Sequence, residues 1–109
     1  MDAQEIFDIV ARHLLKQNAR SSRMNTCSYR GNNGMKCAIG VLIADDKYDW
    51  HLEARPVWDS RVQAALPSEV RDHPRLLRTL QLIHDQCEPE TWLVSLKACA
   101  VQYNLEWRL

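Results

Sequence analysis

Apolar residues recur every three to four positions toward both ends of the chain, and between those stretches the period is lost. From Asp2 to about Asn18, Ile6, Val10 and Leu14 fall four apart while Phe7 and Ala11 widen the stripe, the pattern of an amphipathic helix with one buried face. Asp2 stands where a capping side chain is needed and Glu5 follows three positions later, a spacing that satisfies the free N–H groups of a helix start. Arg12, Lys16 and Arg20 gather toward the other end, where positive charge complements the helix dipole. In the second half, Pro74 suits a first helical turn, and Leu76, Leu77, Leu80, Ile83, His84 and Cys87 follow one helical face. Pro89 opens the next helix, where Trp92, Leu96, Cys99, Ala100 and Tyr103 repeat the pattern to about Asn104. A turn around Glu88 predicts that these two helices pack antiparallel, with the first helix and a hairpin covering their remaining apolar surface.

The punctuation divides the middle of the chain. The glycines fall at 31, 34 and 40 and the prolines at 56, 67, 74 and 89, so a glycine-marked turn precedes a proline-marked helical half. Residues 26–30 and 35–39 flank Gly31-Asn32-Asn33-Gly34, a hairpin signal. Alternation puts Cys27 and Tyr29 on one face of the first strand and Met35, Cys37 and Ile39 on one face of the second. These faces coincide when Tyr29 pairs with Met35 and Cys27 with Cys37, which leaves a three-residue loop and makes the two thiols cross-strand neighbours. Val41-Leu42-Ile43 is apolar enough to be buried, residues 47–58 read as irregular, Asp59 or Ser60 caps a short helix to Leu66, and Ser68 opens another turn. The fold expected is α+β and mostly helical: an N-terminal helix, one β-hairpin, short helices and a C-terminal antiparallel helix pair, in one compact domain over residues 1–109.

Composition narrows the roles open to such a domain. The 109 residues carry 14 Lys plus Arg against 14 Asp plus Glu, with 46% hydrophobic and 26% charged positions. A chain so balanced is globular rather than disordered, and zero net charge gives no strong nucleic-acid signal without a local patch. No apolar run reaches membrane-spanning length and no export signal is recognisable, so a cytoplasmic protein without a membrane partner is expected. Cys27, Cys37, Cys87 and Cys99 then sit in a reducing compartment, where core thiols or a metal site are their uses.

Three clusters could carry chemistry. Cys27 and Cys37 across the hairpin, with His84 and Cys87 one helical turn apart, form a soft set that zinc accepts, although the nine-residue separation of the thiols is not that of a zinc knuckle and all four suit a core. No cofactor is implied otherwise. His84-Asp85 is a dipeptide found in metal-dependent phosphohydrolases, but neighbouring helical residues point about 100° apart and His13, His51 and His73 complete no ligand spacing. A catalytic thiol lacks a base signature, so the reading is not an enzyme. In the hairpin, Arg30 and Lys36 flank a turn whose Gly and Asn residues allow backbone N–H groups to converge on an anion. Tyr29, with Tyr48, Trp50 or Trp58, supplies aromatic faces for a base, so Tyr29, Arg30, Asn32, Asn33, Lys36, Trp50, Trp58, His84 and Asp85 form the candidate ligand-binding set. The same turn would serve equally as a plain exposed tip. Trp58 and Trp107 are candidates for a homo-oligomer or a hetero-complex, or for closing the core.

The run Cys27-x-Tyr29-Arg30, then Gly34-x-Lys36-Cys37-Ala38-Ile39-Gly40-x-Leu42-Ile43-x-Asp45 and Tyr48, with Leu80-Gln81-x-Ile83-His84-Asp85 and Pro89-Glu90-x-Trp92 downstream, resembles a family of small uncharacterised phage and bacterial proteins. The resemblance spans nearly the whole chain and carries no catalytic residues with it. It implies a common phage-type origin and one fold unit rather than a mechanism; that origin, taken with the polar hairpin and the aromatic residues, leads to the expectation of an accessory protein that counters host defence in the bacterial cytoplasm by binding and sequestering a nucleotide immune signal without turnover. Two alternatives stand beside it: a protein–protein inhibitor of a host defence complex, like an anti-CRISPR protein, and a hydrolase of the nucleotide signal using His84 and Asp85.

Overall fold

The computed structural model describes residues 1–24 and 26–109. Helix α1 (Ala3–Gln17) starts at the expected cap, with Asp2 Oδ1 accepting the Glu5 N–H at 2.8 Å. It ends at Asn18, whose left-handed backbone (φ 51°) turns the chain while its N–H still reaches the Leu14 carbonyl. Ile6, Phe7, Val10, Ala11 and Leu14 are fully buried, as their period predicts.

The hairpin forms one segment earlier than alternation suggests. Strand β1 (Ser22–Arg23) pairs antiparallel with β2 (Thr26–Cys27), Ser22 opposite Cys27 and Arg23 opposite Thr26, and the Ser28 N–H donates to the Ser21 carbonyl. This upstream segment takes the backbone partners that residues 35–39 were expected to supply. Downstream, only Arg30 and Lys36 keep an antiparallel bridge, closed by Gly31 N–H to the Met35 carbonyl at 2.9 Å and Cys37 N–H to the Tyr29 carbonyl at 3.3 Å. The parity is as predicted, so Tyr29 and Cys37 share the inward face, but the register is displaced by two. Tyr29 lies opposite Cys37 rather than Met35, and Cys27 is not the neighbour of Cys37. The loop explains the shift: Asn32–Gly34 fold as a 3₁₀ turn with Asn33 and Gly34 at φ 61° and 74°, and this left-handed step occupies residues 31–35 where a three-residue bulge loop was expected.

Residues 40–58 are held by three 3₁₀ turns, Gly40–Leu42, Asp45–Lys47 and Trp50–Leu52. Leu42, Ile43, Leu52 and Val57 anchor them in the core. Helix α2 (Ser60–Ala65) is capped by Asp59, which accepts the Arg61 N–H at 2.8 Å, and α3 (Ser68–Arg71) follows Pro67. Helix α4 (Pro74–Gln86) buries Leu76, Leu77, Leu80, Ile83 and His84; a 3₁₀ turn from Pro89 then leads into α5 (Trp92–Gln102), which buries Trp92, Leu96, Cys99 and Ala100.

Contacts at both ends make α4 and α5 antiparallel. Trp92 stacks on His84 with ring centres 5.6 Å apart and donates its Nε1–H to the Cys87 carbonyl, whereas the Tyr103 hydroxyl reaches Thr79 and donates to the Arg75 carbonyl. With α1 laid against the pair, the three long helices and the turn at residues 40–42 enclose one contiguous core. The fold is therefore α+β and mostly helical. Among the described residues, no helix is long and apolar enough to cross a membrane.

Candidate functional site

Residues outside the core stripe of α4 build the site. Arg78, Gln81, Leu82 and Asp85 recur at i, i+3, i+4 and i+7, hence on one side of the helix, and they face the segment Glu53–Trp58. Between them opens a cleft of about 270 Å³, lined also by Tyr29 and Cys37 beside the Arg30–Lys36 bridge and by Cys27 and Ser28.

The segment across from α4 is fastened from within. Glu53 accepts the N–H groups of Tyr29 (2.8 Å) and Arg30 (3.0 Å) and the Tyr48 hydroxyl (2.6 Å). Burial first, then Glu53, pushes the Tyr48 hydroxyl up to about 12, so it remains the donor. Tyr29 donates its hydroxyl to the Arg55 carbonyl, and burial raises its pKa as well. Between these anchors Ala54 is held at φ 64°, a left-handed conformation that costs a side-chain-bearing residue roughly 1 kcal/mol.

At the α4 wall the hydrogen bonds fix a tautomer. The buried His84 accepts the Ser21 N–H on Nε2 at 2.9 Å, so the ring proton lies on Nδ1, which donates to Asp85 Oδ1 at 2.8 Å. Gln81 accepts the Ile39 N–H and donates to the same Asp85 oxygen. Both nitrogens of His84 are thus engaged, while Asp85 keeps its second oxygen. Cys27, His84 and Asp85 bring a sulfur, a nitrogen and an oxygen within 4.8 Å of one another. A cation on Nδ1 would force the proton to Nε2, against the Ser21 N–H, so this trio does not suit a metal. Burial and the Asp85 carboxylate push the Cys27 thiol up, the opposite of what a nucleophile needs. The zinc set weighed against a core role in the sequence is not brought together among the described residues: Cys37 is buried with its sulfur accepting the Gly40 N–H and its thiol pushed up to about 12, and Cys87 accepts from Ser95 at 3.6 Å.

Tyr29, Trp58 and Asp85 of the candidate ligand set line the cleft, and His84 lies behind its wall. The hairpin cations lie elsewhere. Arg30 contacts Asp45 at 2.8 Å, donates to the Ile43 carbonyl and lies over the Tyr48 ring, and Lys36 also reaches Asp45 at 3.9 Å. Asn33 borders a separate surface depression with His13 and Lys16, Asn32 is exposed at the turn, and Trp50 stacks on His51 at 4.0 Å outside the cleft. Trp107 packs edge-on against Phe7.

Arg78, Gln81, Glu53 and Arg55 were missed by sequence reasoning. Arg78 lies over the Trp58 ring at 5.1 Å from its centre. For the α4 residues a signal existed: Leu82 is an apolar residue out of phase with the core stripe, flanked by polar residues at helical spacing.

The cleft therefore joins apolar and aromatic surface to a cation at one end and a carboxylate at the other. Arg78 and Asp85 are seven residues apart on α4, about 10 Å along its axis. This arrangement is suited to holding and orienting a small polar ligand. In comparisons with protein-family models, curated proteins and solved structures, nothing matches this chain.

Proposed function

We propose that the protein binds a small nucleotide in this cleft and holds it without turnover. The observation that carries the reading is the spacing of Trp58 and Arg78 at one end from Asp85 at the other. A base stacks on the exposed indole, a phosphate meets the Arg78 guanidinium, and Asp85 accepts from sugar hydroxyls or a base edge. Retention without reaction agrees with a His84 that has no free nitrogen and a Cys27 thiol held protonated. With the resemblance to phage proteins, the role is sequestration of a nucleotide immune signal in the host cytoplasm.

A protein partner is the second reading, favoured by the outer face of α5, where Val94 and Val101 are 71% and 81% exposed. Native mass spectrometry after incubation with nucleotides, followed by denaturation, separates the two. Release of an intact nucleotide is the expected result. A chemically altered one would mean a hydrolase, and an oligomer that retains no nucleotide would favour the protein partner.

A further inference from the structure

A second cleft, of about 190 Å³, adjoins the first and shares Val57, Trp58 and Arg78 with it. The indole of Trp58, 65% exposed, stands at their junction with Arg78 over its face. The far side is lined by Pro74, Arg75, Leu77 and Gln63. Gln63 donates its Nε2–H to the Val57 carbonyl at 2.6 Å, which leaves its side-chain oxygen free to accept.

Resting on the nucleotide reading above, we propose that the ligand is two-headed: two nucleosides joined through phosphate, one in each cleft, with the linking phosphate at Arg78 and Arg75. Three observations converge on this class. Each cleft alone is smaller than the roughly 300–1,000 Å³ of small-molecule sites, and the two joined fall inside that range. Arg75 and Arg78 are one helical turn apart, and among the described residues neither forms an ion pair with a carboxylate. Arg78 at the junction and Arg75 one turn away in the second cleft, neither paired with a carboxylate and with apolar walls on either side, match a charge at the centre of the ligand and rings at its ends. The clefts also differ in polarity: the first reads its nucleoside with Asp85 and Gln81, whereas the second offers mainly Pro74, Leu77 and Val57, and so discriminates less between bases.

Calorimetric titration with matched probes, AMP against ApA and GMP against GpG, tests the assignment. At least one dinucleotide should bind tenfold or more tightly than its mononucleotide. Arg75→Ala should weaken the dinucleotide more than the mononucleotide and so reduce that preference to under threefold, and Asp85→Asn should weaken both members of the pair. Arg75 is exposed and its backbone carbonyl, not its side chain, holds Tyr103, so the first variant keeps the fold. Equal affinity within each pair would overturn the two-headed ligand and leave the single-cleft reading standing. Absence of binding by all four probes would overturn both.

Discussion

Single atoms set several features of this molecule. A Cβ on Gly40 would overlap the Tyr29 carbonyl oxygen, whereas one on Gly34 would meet nothing within 4 Å and only strain a backbone at φ 74°. Gly40→Ala should therefore cost about 2–3 kcal/mol and Gly34→Ala about 1 kcal/mol, read from urea midpoints at constant slope. A larger loss at Gly34 would contradict the steric account. His13 offers a second test. Burial first, then the Lys36 charge, lower its pKa below 6.5, against the opposing hydrogen bond to the Lys36 carbonyl. The unfolded chain thus takes up this proton at a higher pH than the folded one, so the contribution to stability is complete above about pH 6.5 and falls away on acidification through the lowered folded value. His13→Gln should flatten that part of the stability profile; an unchanged slope would assign it to other groups. The core use of Cys99 and Cys37 was legible in the sequence, since each falls on an apolar face that the fold buries, but that of Cys27 was not, because the displaced register leaves it exposed at the cleft.

At the scale of elements, α4 serves two sides at once. Its core stripe repeats at helical spacing and was readable directly, since burying it is what holds the helix in place. The cleft stripe of Arg78, Gln81 and Asp85 looks like any solvated face until another segment is laid across it. Its partner, residues 53–58, has no period because Glu53 and the Tyr29 hydroxyl hold it through hydrogen bonds rather than through a repeating apolar face. The short strands were misplaced for a related reason: alternation specifies which side chains share a face, but both residues 21–23 and residues 35–37 could satisfy the backbone of residues 26–30. The α4–α5 pair is pinned at its far end by Tyr103, whose hydroxyl contacts Thr79 at 2.6 Å and the Arg75 carbonyl at 3.0 Å. Tyr103→Phe should cost roughly 1 kcal/mol. In a double-mutant cycle with Thr79→Val the two losses should be non-additive, and simple additivity would show that the contact carries no coupling.

For the whole molecule, ligand binding should appear as stability. A nucleotide at a hundred times its dissociation constant raises the unfolding free energy by about 2.7 kcal/mol. Trp58→Ala and Arg78→Ala should each abolish most of the accompanying rise in melting temperature, and a rise that survives in both variants would place the ligand elsewhere. By itself the sequence determined the helical α+β class, the long helices with their buried faces, the cap at Asp2, and the parity that turns Tyr29 and Cys37 inward. These follow from interactions that are local or periodic, because burying apolar surface at a fixed spacing is a property of a segment. Only the tertiary structure decided that Arg30 and Lys36 are spent on Asp45, that His84 has both nitrogens engaged, and that Trp58 meets Arg78 beside a cleft ending at Asp85. Those outcomes depend on which groups from different segments of the chain meet, where hydrogen bonds and charges leave no period behind.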